Sequence, residues 1–241
     1  PQTWERDIQL YETVIDGAAQ GNVVVIGPWT SERQDILFEG FMIRNGSGLD
    51  GGGLYVYQAS PNILRNRING NWAEGIGGGI AVAEAAPLIW GNTIELNTAV
   101  GGGGGIALSH SNAILINNQI VSNYTSGTDG GGISIDNHSQ PIMSGNIIAA
   151  NSAERGGGIV ITGASRPRIA NSVLYLNMAN EMGGAILADG ASAEVTNATI
   201  LDNIPDGVAT TELSSTMEMV ISLTNCILWG HGGFDLIGSN L

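Results

Sequence analysis

The sequence predicts an all-β coil in which short parallel strands stack turn upon turn. Three observations predict it. A glycine triplet followed by an apolar strand recurs six times, as GGGLYV at 51, GGGIAV at 77, GGGIAL at 103, GGGISI at 130, GGGIVI at 156 and GGAILA at 183, in steps of 26, 26, 27, 26 and 27 residues. Asparagines keep the same time: Asn45, Asn71, Asn97, Asn123, Asn151, Asn177 and Asn203 follow at 26, 26, 26, 28, 26 and 26 residues. Between these markers apolar residues alternate with a period of two, as in Ile80 and Val82 or Ile94 and Leu96, and no stretch carries a helical stripe. Self-similarity at a fixed period is the mark of a repeat architecture. Three strands in so short a unit leave no room for a crossover helix, so equivalent strands must pair in parallel. The expected fold is a right-handed parallel β-helix of about eight turns with three short strands in each.

The elements follow in chain order. Residues 1–39 lack the triplet, but TVIDG at 13–17, NVVVI at 22–26 and DILFEGF at 35–41 read as strands of irregular starting turns. Residues 40–204 hold the regular turns: N-x-I-x-x-N, a loop ending in GGG, I-x-I, a short polar loop, then P-x-I. The asparagines have partners five or six places earlier, at Gly40, Asn66, Asn92, Asn118, Asn146, Asn171 and Asn197. Glycine suits bends that need positive φ or close backbone approach, so Gly79, Gly105, Gly132 and Gly158 are expected to be structural. Asparagine tolerates the left-handed conformation, and its amide bonds to neighbouring backbone or to an amide one turn away. On that ground Asn71, Asn97, Asn123, Asn151 and Asn177 are expected to mark bends and to stack. The core column is Ile80, Ile106, Ile133, Ile159 and Ile186. Residues 205–241 read as degenerate final turns, with a polar loop at 205–223 and a last strand in TNCILWG at 224–230. The whole of 1–241 is expected to be one domain. Open parallel edges invite pairing, so it is expected to self-associate or to be part of a longer chain.

Charge removes several classes of function. The chain carries 22 acidic and 8 basic residues, a net charge of −14, and every basic residue is Arg. A nucleic-acid partner needs a cationic surface and is not expected, nor is an anionic membrane. No apolar run is long enough for a membrane-spanning helix. The single Cys226 excludes an internal disulfide framework.

The alternation of GGG-I or GGA-I with N-x-I-x-x-N resembles right-handed parallel β-helix proteins of the pectate-lyase-like superfamily. It is especially similar to the GGA-[ILV] and F-x-x-N repeats of chlamydial polymorphic outer-membrane proteins. Here the Phe position is held by Ile94, Ile120 or Ile148, so the likeness is to the logic of the repeat. The resemblance spans about residues 40–230 and implies an exported or surface-displayed bacterial protein, extracellular or on the cell surface. It also weighs against the enzymes of the superfamily, because the chain has no Lys and none of the N-T-D, D-D, G-H-D or R-I-K motifs of polygalacturonases.

Chemistry in a repeat protein is sought down columns. Glu84, His110 and Asp136 follow one another at 26 residues and would lie about 5 Å apart on adjacent strands, a His between two carboxylates that could act as a general base or hold a metal. Ordinary turn residues are the bland alternative. Asp50, Glu74, Asp129 and Glu154 precede glycine triplets and could hold Ca²⁺ with backbone carbonyls, the one cofactor considered. Arg65 and Arg67, with Trp90 outward-facing, could grip and stack on a carboxylated sugar; Arg166 and Arg168 form a second basic pair. The expected function is a structural or adhesive surface module. The alternatives are a polysaccharide-active enzyme (lyase, epimerase or hydrolase) and a calcium-dependent glycan-binding module.

Overall fold

A computed structural model describes residues 12–28, 35–127, 129–211 and 220–238. These residues form four parallel sheets and no helix. Each turn visits the sheets in the same order. Sheet I follows the triplets and has nine strands, from Val24–Ile26 to Leu236–Ile237. Sheet II has eight, from Leu37–Glu39 to Ile221–Thr224, and sheet III nine, from Thr13–Asp16 to Ile227–Trp229. Pairing is in register, with Ile80 opposite Leu54 and Ile106, and Ile94 opposite Ile68 and Ile120. Sheet IV is a fourth, of six strands from Ser47–Gly48 to Met178–Met182, where the sequence predicts only three strands per turn. Most of its strands have two residues, such as Trp72–Ala73, too few to show any period.

The interior is a set of stacked aliphatic columns. Sheet I points Ile80, Ile106, Ile133, Ile159 and Ile186 inward, sheet II Ile63, Ile89 and Leu115, and sheet III Ile68, Ile94 and Ile120, all fully buried. Each such side chain contributes about 1.5–3 kcal/mol by leaving water. Sheet IV contributes only small inward residues, Ala73, Ala99 and Ala153.

Two buried asparagine ladders close the bends. Between sheets III and IV run Asn71, Asn97, Asn123, Asn151, Asn177 and Asn203. Each Oδ1 accepts from the backbone amide and the Nδ2 of the turn before; Asn123, for example, accepts from Asn97 N at 3.1 Å and Asn97 Nδ2 at 3.0 Å. Its own Nδ2 donates to Ile94 O at 2.9 Å and to Asn151 Oδ1 at 3.0 Å. Between sheets II and III a second ladder runs through Asn66, Asn92, Asn118 and Asn146 to Ser172.

The ladder asparagines are not themselves left-handed. The residue before each one is, as at Gly70 (φ 63°), Leu96 (φ 55°) and Ser122 (φ 54°). This corrects four positions in the sequence reading. Asn45, Asn171 and Asn197 are exposed left-handed residues, as Gly40 is a left-handed glycine, and the ladder runs one place later, through Gly46, which donates to Asn71 Oδ1, and Ser172.

The triplet glycines divide two demands. Gly77 has φ +68°, and a Cβ there would strike the strand it turns onto, at Ile80 and Ala81. Gly78 has ordinary φ but no space, since a Cβ would lie under 3.0 Å from the backbone oxygens of Thr98 and Gly104. The third place is less strict, and Ala185 fills it on one turn with its side chain buried.

Candidate functional site

The end of sheet I leads into a left-handed bend, and the predicted Glu84–His110–Asp136 column falls there. Glu84 (φ 51°) and His110 (φ 48°) are the bend residues of successive turns and are exposed. The next member is Asn137, because Asp136 pairs with Ser109 one place earlier. The slip comes from one extra residue in the loop before Gly130, which lengthens the triplet step to 27. Each acid has another partner: Glu84 Oε2 accepts from Gln58 Nε2 at 2.7 Å, and Asp136 Oδ1 accepts from Thr162 Oγ1 at 3.0 Å and from the Asn137 amide at 2.6 Å. The structure therefore does not set His110 between two carboxylates.

Asp136 belongs to a polar stripe on the outer face of sheet I, with Thr162, Asp189 and Thr211 in the same register. Asp189 accepts from Thr211 Oγ1 at 2.5 Å and from Arg155 Nη1 at 2.8 Å. Arg155 also pairs with Asp129 at 2.8 Å. Burial works against the guanidinium charge, but Asp129 and Asp189 outweigh it and raise the Arg155 pKa above its ordinary value. This bridge escaped the sequence reading, although Arg155 is the only basic residue directly preceding a glycine triplet.

The four predicted calcium acids fall on two columns. Asp50 and Asp129 share one, with Ile76 and Gly102 on the turns between them. Glu74 and Glu154 share the other, separated by Val100 and Ser126. Within each pair the acids stand three strand spacings apart, about 14 Å. No group of three metal-ligating side chains forms among the described residues.

Arg65, Arg67 and Trp90 do come together, on the bend between sheets II and III. Arg65 lies over the half-buried Trp90 ring, 5.6 Å from its centre, and pairs with Glu39. Arg67 pairs with Glu95 at 2.7 Å and Glu12 at 3.6 Å, and the Glu95 hydrogen bond leads in raising its pKa. They border a shallow groove of about 350 Å³ with Phe41, Asn66 and Thr93. Arg166 lines a separate groove, and Arg168 pairs with Glu194 at 3.1 Å.

A further surface was missed. The outward residues of sheet IV run Ser47, Trp72, Thr98, Tyr124, Ser152 and Met178, one per turn. Trp72 is 40% exposed and Tyr124 48%. Leu96 (59%) and Leu176 (56%) flank the row on the left-handed bends, and Leu49 and Val100 on the opposite side. Together they make an apolar ridge along the coil. Its signal in the sequence is the residue directly after each ladder asparagine.

A family model for the right-handed β-helix region matches residues 30–200 and 97–240. The chain belongs to this β-helix family. Among solved structures the β-helix is similar to pectate lyase Pel9A, at 15% identity and a TM-score of 0.41, over 96% of this chain and 75% of that one. At that level the likeness carries no information about activity. A search of curated proteins found no match.

Proposed function

We propose that this β-helix is a rigid structural and adhesive module, extracellular or displayed on a cell surface, that meets its partner along the sheet IV ridge. The ridge carries the reading. Single exposed apolar residues mean little, but contiguous ones rimmed by polar surface mark interaction sites. The likeness of the repeats to those of chlamydial polymorphic outer-membrane proteins supports surface display. The partners in view are neighbouring domains of a larger surface protein, another copy of the chain, or a polysaccharide. Trp72 and Tyr124 stand two strand spacings apart, about 9.6 Å, on one straight face, and flat rings so placed suit stacking on successive sugars of an extended glycan.

One observation favours a second reading, a polysaccharide-active enzyme: Asp136 and Asp189 lie on one face of sheet I, two turns apart, with Arg155 beside them. A single set of measurements separates the two. The native chain and a Trp72→Ser, Tyr124→Ser variant are compared by sedimentation, by retention on a panel of immobilised polysaccharides, and for products released from uronic-acid polymers. The ridge reading expects retention or self-association that drops at least about ten-fold in the variant, with circular dichroism unchanged, because both side chains point outward. A native monomer that binds nothing on the panel would sink it. Product release that survives the ridge variant and is lost in Asp136→Asn would favour the enzyme.

A further inference from the structure

Among the described residues, the ladder of Asn71 to Asn203 ends on a histidine. His231 Nδ1 accepts the Asn203 backbone N–H at 3.1 Å, the place taken by an asparagine Oδ1 on the turns below. The imidazole is wholly buried, and its Nε2 has no hydrogen-bond partner. The ring lies flat over Gly207, where a Cβ would come within 3.0 Å of Nε2. Around it the turn 231–237 is tied to the turn 203–208 by backbone bonds: Gly232 N to Asn203 O at 3.2 Å, Gly207 N to Phe234 O and Val208 N to Asp235 O, both at 3.0 Å.

We propose that His231 is an acid-sensitive latch holding this last described turn onto the coil. An accepting Nδ1 carries no proton, so the neutral ring bears its proton on Nε2. A second proton must go to Nδ1, where it would face the Asn203 N–H, setting donor against donor at a buried site. The charged groups nearby are all acids. Asp235, on the same turn, has Oδ1 at 3.8 Å from Nε2, beyond hydrogen-bond reach, and its side chain is 58% exposed, so water screens its attraction. On the turn beneath, Asp206 accepts from the Phe234 amide at 3.3 Å, and Asp202 is exposed below Gly230. None replaces the acceptor lost at Nδ1, so the proton is taken up by the open turn, where water solvates the ring. The open state then binds one more proton than the closed one. Closure is full at neutral pH and weakens as pH falls through the ordinary imidazole range, around pH 6.5.

Amide exchange of the native chain, corrected for intrinsic rates, tests the latch. Protection of Gly207, Val208 and Gly232 should fall about ten-fold per pH unit below that range, while the Ile80 and Ile106 amides in mid-coil stay protected. His231→Asn restores the residue used on the other turns, and should keep the protection at neutral pH while removing its pH dependence. Equal protection at pH 7.5 and 5.0 in the native chain, or the same loss in the variant, would overturn the latch. Should the variant not fold, imidazole ¹⁵N shifts of the native chain decide. A ring that takes up its proton while those three amides stay protected refutes the proposal; one that protonates only as they exchange supports it.

Discussion

Single residues in this molecule are governed by the bends. Asn123 makes four hydrogen bonds, and every group it serves is buried. Asn123→Ala would leave the Ile94 carbonyl and the Asn97 amide groups without partners, so a loss of about 3 kcal/mol or more is expected in urea denaturation. Asn123→Ser should cost less, because Ser172 already ends the neighbouring ladder by accepting the Asn146 amide at 3.2 Å. The ladder asparagines were legible because they recur in step. The left-handed residue before each one was not, since Leu96 and Leu176 occupy a conformation that nothing in a leucine side chain announces. The same blindness produced the Glu84–His110 column. Its members share a backbone position, and their side-chain chemistry made that position look like a site.

At the scale of the element, strands of three or four residues are held by what they stack on. In Gln119–Val121 the middle residue, Ile120, is fully buried between Ile94 and Ile148, and Gln119 is exposed. Ile120→Ala is expected to cost about 2–5 kcal/mol, and Gln119→Ala to stay within about 0.5 kcal/mol, by the same denaturation. The period of two located both residues correctly. It fails on the outer face of sheet I, where Ala81 and Ala107 point away from the core and are still buried. The glycine turn folds back over them, close enough that a Cβ on Gly77 would meet the Ala81 backbone. Val160, Leu187 and Ala209 form a second small cluster on that face, with Met182 against it. Alternation reports which side of a strand a residue takes, and not what later covers that side.

As a whole the molecule is a stack of near-equivalent turns, each touching only its neighbours, so its stability should come apart by turns. Deleting residues 77–102 puts Gly103 where Gly77 stood and keeps every column in register. That chain is expected to fold to the same circular dichroism per residue and to be about 4.8 Å shorter in solution scattering. Deleting 77–89 removes half a turn, joins unlike sheets, and should abolish cooperative melting. The sequence by itself determined the coil: its period, its parallel pairing, its aliphatic core and its polar bends are all properties of spacing and residue type along one dimension. Only the tertiary structure decided which residues share a column, because one extra residue before Gly130 shifts everything after it by a place. It also decided which apolar side chains are covered and which form the sheet IV ridge, since burial depends on what another turn lays over a strand.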